Sequence, residues 1–340
     1  VKGNRGHSIY DGHVVLIFDE CHRSQFGDMH RYITRAFRNY HLFGFTGTPI
    51  FAENAPSSGK TNLRTTAQAF GDQLHCYTIV DAIRDGNVLP FRIDYINTFS
   101  VREGIENYDV EGIDTESAFM DRRRIGAIVS YILEHFDQKT KRSSSYELKD
   151  QRVSGFNSLL ATSSIKAARA YYREFERQQV DLPSDKRRSV GIIFSYAPND
   201  EAPGTGLLAE ESMDPSALSH DDRAFLDDAI ATYNDRFGTN FGTDASGFEN
   251  YYEHLSKALT EKRIDLVIVV DMFLTGFDSK TLNTLWVDKN LHAHGLIQAF
   301  SRTNRILNSV KTYGNIVCFR NLEEEVEKAI ALFGNKNARG

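Results

Sequence analysis

The amino-acid sequence predicts an α/β protein with two lobes, each built on a mostly parallel sheet with helices on both faces. Short apolar runs typical of buried strands alternate along the chain with segments in which apolar residues recur at helical spacing. These signals fall into two blocks, and 340 residues are enough for two domains, or for one long domain with insertions. We therefore divide the chain into a first lobe of residues 1–90 and a second lobe of residues 91–340.

The first lobe opens with His13–Phe18 (HVVLIF), a nearly continuous apolar run that ends in two acids. Such a run is typical of a strand buried on both faces of a parallel sheet. The signals that follow predict a helix, a second strand, a loop and a short helix, over Met29–Phe37, His41–Thr46, residues 52–66 and Thr78–Asp85.

The second lobe begins with a strand over Phe91–Phe99 and an amphipathic helix in which Ile125, Ile128 and Ile132 share one face. Further strands are predicted over Phe156–Ala161, Val190–Ser195, Leu266–Val270, Leu282–Val287 and Ile316–Phe319. Further helices are predicted over residues 164–178, 249–261, 293–307 and 322–333. A charged loop and a long insertion complete the lobe, over Lys139–Gln151 and near residues 197–247.

Composition excludes several classes of protein. Cys21, Cys76 and Cys318 are far apart and form no CxxC pair, which argues against a disulfide framework or a zinc site. No apolar run approaches the roughly 18 residues that cross a bilayer, and no charged segment leads into an apolar core near Val1. We therefore expect a cytoplasmic protein that makes no membrane contact. The formal net charge of −6 leaves nucleic-acid binding open, because positive charge can be confined to a cleft.

The most informative residues follow the first strand: Asp19, Glu20 and His22. Acids at the carboxyl end of a parallel strand lie where α/β folds bind their ligands. There Asp19 can hold Mg²⁺, with Glu20 as a neighbouring ligand that also orients and deprotonates a water, the arrangement that ATP hydrolysis requires. Thr46 and Thr48, in the turn after the next strand, can bond to His22 and pass on the state of the nucleotide. The alternatives are an acidic strand end in solvent and an ordinary Gly-Pro turn.

A third group lies in QAFSRTNR, where Gln298, Arg302 and Arg305 share one face of the predicted helix. The two guanidiniums can stabilise charge during phosphoryl transfer, with Gln298 as a nucleotide contact. Arginines on a solvated helix face are the alternative explanation.

Two further turns are assigned to binding. After the strand LVIVV, Gly276 permits close approach of the backbone to the nucleotide, and Asp278 can fix an arginine or a ribose hydroxyl. Thr275 in this turn is assigned to DNA contact. So are Thr162 and Ser163, although the hydroxyls after that strand can instead simply cap the following helix.

Four segments, DECHRSQFGDMH, HLFGFTGTPIF, TGFDSKTLNTLWVDK and QAFSRTNR, resemble motifs II, III, V and VI of superfamily 2 motors. Their surroundings resemble the motor (R, HsdR) subunit of type I restriction enzymes. The resemblance implies two RecA-like lobes, the first incomplete at its N-terminal side, with ATP and Mg²⁺ between them. It also implies translocation of double-stranded DNA before remote cleavage, and methyltransferase and specificity subunits as partners.

Two departures from that family limit what this chain is expected to do. No phosphate-binding GxxxxGK[ST] loop is present, and Ser58–Thr61 imitates only its end, because residue 54 is Asn54. Glu147-Leu148-Lys149 has the spacing of a nuclease motif, but is predicted to lie in a loop without a strand. We therefore expect that the chain is a piece of a longer protein. This piece is expected to lack the phosphate-binding loop and the nuclease, and to be inactive alone. The alternatives are a DNA- or protein-binding module without ATP turnover, and another superfamily 2 motor such as a repair helicase.

Overall fold

The computed structural model describes residues 7–22, 28–55, 65–98, 118–194 and 218–334. In the first lobe, strands β1 (His13–Phe18) and β2 (Asn39–Gly44) pair in parallel, and helix α1 (Asp28–Ala36) connects them. Two short helices follow, α2 (Thr66–Phe70) and α3 (Ile79–Arg84), and each begins at a threonine capping box.

The two-stranded sheet of the first lobe leaves one apolar face open. Along β1 exposure alternates, with Val15 54% and Ile17 67% exposed, and Phe45 after β2 is 58% exposed. The expectation that β1 is buried on both faces is therefore wrong for this chain, because no described layer covers that face. Val14 and Leu16 point to the half-buried side of the sheet.

The second lobe contains one sheet of six parallel strands in the order β3-β10-β9-β6-β8-β7. Its strands are β3 (Phe91–Tyr95), β6 (Asn157–Thr162), β7 (Val190–Ile193), β8 (Leu266–Val269), β9 (Leu282–Asp288) and β10 (Gly314–Cys318). Four of these strands, β6, β8, β9 and β10, are buried along their whole length, as strands covered on both faces of a parallel sheet are. The predicted mixed α/β class with a mostly parallel sheet is confirmed.

The helices of this lobe are α4 (Arg122–Lys139), α5 (Ile165–Gln179), α6 (His220–Phe237), α7 (Ala245–Thr260), α8 (Ala293–Phe300) and α9 (Glu323–Gly334). Helix α6 lies within the stretch predicted as an insertion. It begins at the cap Ser219 and ends at Gly238, whose φ of 64° suits a left-handed cap. Helix α8 ends at Phe300, well before the predicted end at residue 307.

A hairpin, β4 (Ser145–Leu148) and β5 (Gln151–Ser154), occupies the stretch predicted as a charged loop. Its turn residues Lys149 and Asp150 have φ of 46° and 64°, as a tight hairpin requires, without the Asn-Gly signal that usually marks one. Lys149 reaches Glu261 at 3.8 Å. Of the other sequence features, Ser58–Thr61 lies outside the described residues. Among the helices that are described, none is long and apolar enough to cross a membrane.

Candidate functional site

The acidic turn after β1 is held against the end of β2. The amide of Phe45 donates to the carbonyl of Phe18 at 2.8 Å, and the amide of Cys21 donates to the carbonyl of Phe45 at 3.0 Å. Asp19 accepts from the amide of Glu20 at 2.9 Å, and both side chains are exposed. Glu20 has a φ of 47°, a conformation that few residues other than glycine adopt and that is enriched at functional sites. The turn therefore presents two carboxylates to solvent from a fixed backbone.

His22 connects this turn to both threonines of the next one and to the second lobe. Its ring is buried; Nδ1 lies 2.7 Å from Thr46 Oγ1 and 3.4 Å from Glu20 Oε2. On the other side, Gln298 Nε2 lies 2.8 Å from His22 Nε2 and donates to Thr48 Oγ1 at 2.9 Å. An amide nitrogen only donates, so His22 Nε2 accepts and the ring carries its proton on Nδ1. The result is a relay from the acidic turn to helix α8, running Glu20–His22–Gln298–Thr48.

The two predicted arginines do not share a helix face with Gln298, because α8 ends at Phe300. Arg302 lies in the turn that follows and folds back, donating to the carbonyls of Gln298 at 3.1 Å and Phe277 at 2.6 Å. Arg305 lies further along, where Nε faces Asp278 Oδ1 at 3.0 Å in an ion pair without an aligned hydrogen bond. The structure thus brings Gln298, Arg302, Arg305 and Asp278 together through the turn that follows α8, and not through one helix face as predicted.

The turn after β8 packs beneath these arginines. Gly276 has a φ of 72° and open space where a Cβ would stand, so backbone conformation rather than crowding calls for glycine. Thr275 is buried, and its hydroxyl has no hydrogen-bond partner among the described residues. Its side chain therefore does not face solvent in this structure.

The turn after β6 corrects one DNA-binding assignment. Thr162 is fully buried and its hydroxyl donates to the carbonyl of Val269 at 3.1 Å, so it is not presented to a phosphate. Ser164 is the cap of α5 and accepts from the amide of Ala167 at 3.2 Å. Ser163 between them is half-buried, and its DNA contact stays a prediction.

A buried cluster centred on Asp288 holds the carboxyl ends of β9 and β10, and sequence reasoning missed it. Asp288 accepts a bidentate pair from Arg124 at 2.6 and 3.0 Å, and further bonds from Tyr171 at 2.7 Å and Arg320 at 3.1 Å. Burial alone would raise the pKa of Asp288, but hydrogen bonding to Arg124 and the arginine charges outweigh it and lower that pKa. The only sequence signal was an acid at the end of an apolar strand.

Lys311 is a second buried charge beside the site. It is 1% exposed and donates to the carbonyls of Lys280 at 2.9 Å and Leu282 at 2.7 Å. Burial lowers the pKa of Lys311 to about 7, against the opposing effect of Asp278. Lys311 therefore ties the segment that follows Asp278 to the segment that follows Arg305. Nothing in its sequence neighbourhood distinguishes it from a surface lysine.

The donor set fits a weakly held divalent ion better than a metal cage. Within the described ranges, no group of three or more His, Cys, Asp or Glu is placed to hold a metal. Mg²⁺ is usually bound by one or two carboxylates together with waters and substrate phosphates. The exposed carboxylates of Asp19 and Glu20 satisfy that requirement.

Comparisons with known proteins match both lobes. The family described as "Type I restriction enzyme subunit R domain 3" matches residues 154–321, and the family "SWI2/SNF2 ATPase" matches residues 4–123. The type I restriction enzyme SauMRSORF196P endonuclease subunit of Staphylococcus aureus (strain MRSA252) is 42% identical over 330 residues, covering 95% of this chain and 32% of that protein. The SsaAORF53P endonuclease subunit of Staphylococcus saprophyticus is 43% identical over 324 residues, covering 94% and 32%.

Among solved structures, an HsdR fragment from Vibrio vulnificus YJ016 is similar with a TM-score of 0.54 and 15% identity, covering 96% of this chain and 46% of that one. At that identity the likeness supports the fold alone. The chain spans about a third of the length of the curated relatives that it matches.

Proposed function

The chain belongs to the R-subunit family of type I restriction enzymes, and from that premise we propose that it is the part of such a subunit in which ATP hydrolysis drives movement along double-stranded DNA. Because it spans about a third of its relatives, the activity of the whole subunit is part of the proposal. So are endonucleolytic cleavage far from the recognition site and assembly with methyltransferase and specificity subunits.

One observation carries this proposal: the relay from the acidic turn of the first lobe to helix α8 of the second. His22 touches Thr46 in its own lobe and Gln298 in the other. Groups from both lobes therefore meet at the carboxyl ends of parallel strands, where α/β folds bind ligands. A change at the acidic turn alters the contacts of α8 directly, which is what coupling of hydrolysis to motion requires.

The acidic turn supplies the hydrolytic groups. We assign Asp19 and Glu20 to Mg²⁺, which when bound neutralises charge on the phosphates of ATP. Glu20 also serves as the base that orients a water and takes its proton. Its carboxylate lies 3.4 Å from His22 Nδ1, so the proton that Glu20 takes from water changes the charge beside the relay. Both carboxylates stand on a backbone turn fixed by hydrogen bonds, so little rearrangement is needed to present them.

The second lobe supplies positive charge. Arg302 and Arg305 are assigned to the transferring phosphate, and Gln298, Gly276 and Asp278 to the nucleotide. Each arginine is held by an oxygen of the neighbouring turn, the carbonyl of Phe277 or the carboxylate of Asp278. A guanidinium has five donors, so these contacts aim the side chains and leave donors for phosphate oxygens. Ser163 keeps its assignment to DNA, whereas Thr275, buried like Thr162, does not.

A binding module without ATP turnover is the second candidate, favoured by the absence of a GxxxxGK[ST] loop from these 340 residues. For this chain alone we propose that turnover is negligible, because the sequence lacks the GxxxxGK[ST] motif that supplies the lysine and backbone amides around the β- and γ-phosphates. The repair-helicase alternative is set aside, since the family matches name a type I restriction enzyme domain.

The test is ATP hydrolysis by the whole R subunit, with and without DNA, after Glu20→Gln. The amide keeps the shape and removes the base, so DNA-stimulated turnover should fall by about 10²–10⁴, the usual contribution of general-base catalysis. Glu53→Gln, an exposed carboxylate of the same lobe, is the matched control and should hydrolyse ATP normally. Near-normal turnover by Glu20→Gln would remove Glu20 from the mechanism.

A further inference from the structure

His294 is a buried residue at the lobe boundary that the mechanism above does not use. It is the second residue of α8, and its ring has no exposed surface. The ring stacks on His22 with centroids 5.9 Å apart and planes 19° apart, and meets the edge of Phe333 at 5.2 Å. It therefore lies between His22 of the first lobe and helix α9 of the second.

The ring nitrogen of His294 reaches two groups of one loop in the first lobe. Nε2 lies 3.1 Å from the carbonyl oxygen of Pro49 and 3.2 Å from Asn54 Nδ2. The orientation of the Asn54 amide is fixed, because its Oδ1 accepts from the amide of Phe51 at 2.7 Å. Nε2 therefore accepts from Asn54 in one tautomer and donates to Pro49 in the other. In either form His294 stays attached to residues 46–54.

The same loop is also held by Gln298, one helical turn further along α8. Gln298 donates to Thr48, and His294 bonds to Pro49 or Asn54. Residues i and i+4 lie on one face of a helix, so α8 grips the loop at two points on the same side. One point of attachment allows the helix to pivot, whereas two points fix its orientation.

We propose that His294, together with Asn54, is a positioning residue of the interlobe relay. It holds α8 in the orientation in which the Gln298 amide reaches His22 and Thr48 together. This inference rests on the proposed function and names a residue on which that coupling depends. His294 also stacks on His22, so it acts on the relay through both His22 and Gln298.

A histidine that merely fills the core is the competing explanation, and two replacements separate the explanations. His294→Phe keeps a flat ring to stack on His22 but removes both ring nitrogens. His294→Gln keeps a donor and an acceptor that can reach Pro49 and Asn54. His254→Phe is the matched control, since His254 is a partly buried histidine of the same lobe that bonds to Tyr233, away from the relay.

The first measurement is DNA-stimulated ATP hydrolysis by the whole subunit. In His294→Phe the increase in ATP hydrolysis caused by DNA should fall by at least about fivefold. Fivefold is the lower end of the coupling measured between distant sites in proteins. The KM for ATP should stay unchanged in His294→Phe. His294→Gln should recover much of the DNA-stimulated ATP hydrolysis, and His254→Phe should hydrolyse ATP like the wild type. Normal stimulation in His294→Phe overturns the inference alone. Absence of stimulation in the wild type instead overturns the proposed function.

The second measurement needs no activity and uses the present chain. Amide hydrogen exchange of Phe51 reports on the Asn54 side chain, which is the acceptor for that amide. His294→Phe should accelerate Phe51 exchange while the midpoint of thermal unfolding stays close to wild type, and His294→Gln should protect the amide again. Unchanged exchange at Phe51, or equal loss of thermal stability in both variants, would mean that His294 is only a core residue.

Discussion

Replacing Asp288 by alanine should destabilise the second lobe strongly. The carboxylate is 2% exposed and accepts hydrogen bonds from Arg124, Arg320 and Tyr171. Its removal leaves two guanidiniums buried without a counter-charge. Breaking a buried ion pair costs about 3–5 kcal/mol, and an unsatisfied buried hydroxyl about 1–3 kcal/mol more. We therefore expect a loss of at least about 4 kcal/mol, a large part of the roughly 5–15 kcal/mol that stabilises a folded protein.

The assay is urea unfolding followed by the fluorescence of Trp286, the single tryptophan of the chain, which is buried two residues before Asp288. With a slope of about 3 kcal/mol per molar urea, the midpoint should fall by more than about 1 M in Asp288→Ala. The control is Asp137→Ala, because Asp137 is 57% exposed and pairs with Arg188 at 2.9 Å. Such surface pairs contribute about 0–1 kcal/mol. Equal midpoint shifts in the two variants would refute the reasoning.

The contribution of Asp288 should also depend on pH with a definite sign. Its pKa in the folded protein lies below the ordinary value of 3.8. The stabilisation is therefore fully present above that value and is lost as the pH falls through the folded-state pKa. The difference in free energy of unfolding between the wild type and Asp288→Ala should be constant near neutral pH and should shrink at acidic pH. A difference that grows in acid would contradict this assignment.

Three further predictions concern the site. Arg302→Ala and Arg305→Ala should each reduce DNA-stimulated hydrolysis while leaving thermal stability nearly unchanged; a large loss of stability with normal turnover would make them structural. Lys311 releases its proton near pH 7 when folded and near 10.5 when unfolded, so the free energy of unfolding should rise with pH across that window relative to Lys311→Met. A flat difference between pH 7 and 10 would contradict that pKa. The present chain should bind a nonhydrolysable ATP analogue weakly or not at all in calorimetric titration, and micromolar binding with DNA-stimulated turnover would contradict its proposed inactivity.

Much of the fold was predictable because its strands are short segments rich in apolar residues that alternate with segments of helical spacing. Strands β8 and β9 were placed to within one residue at each end, since β8 is continuously apolar and β9 is rich in apolar residues, as strands buried in a parallel sheet often are. Helix α6 was missed because the Pro, Gly, Asp and Ser content of residues 197–247 outweighed its apolar spacing. The early end of α8 was missed because the amides of Arg302 and Thr303 donate to the carbonyls of Ala299 and Phe300 and so close a turn. No residue type at these positions predicts that turn.

The site was predictable where its residues directly follow neighbouring strands of one sheet. His22 and Thr46 follow adjacent parallel strands, so their contact follows from the topology. The contacts of Asn54 with His294, 240 positions away, depend on how two lobes pack and leave no local signal. Lys311 and Asp288 were missed for the same reason, because burial of a charged residue is decided by its tertiary surroundings.

Translocation itself is the most direct test of the coupling that this structure suggests. The measurement is displacement of a DNA triplex by the whole R subunit assembled with its methyltransferase and specificity subunits, in the presence of ATP. For the wild type, the delay before displacement should grow linearly with distance from the recognition site. Gln298→Ala, which cuts the relay between His22 and Thr48, should displace far less triplex per ATP hydrolysed. Wild-type displacement per ATP in that variant, or no displacement by the wild type, would contradict the account.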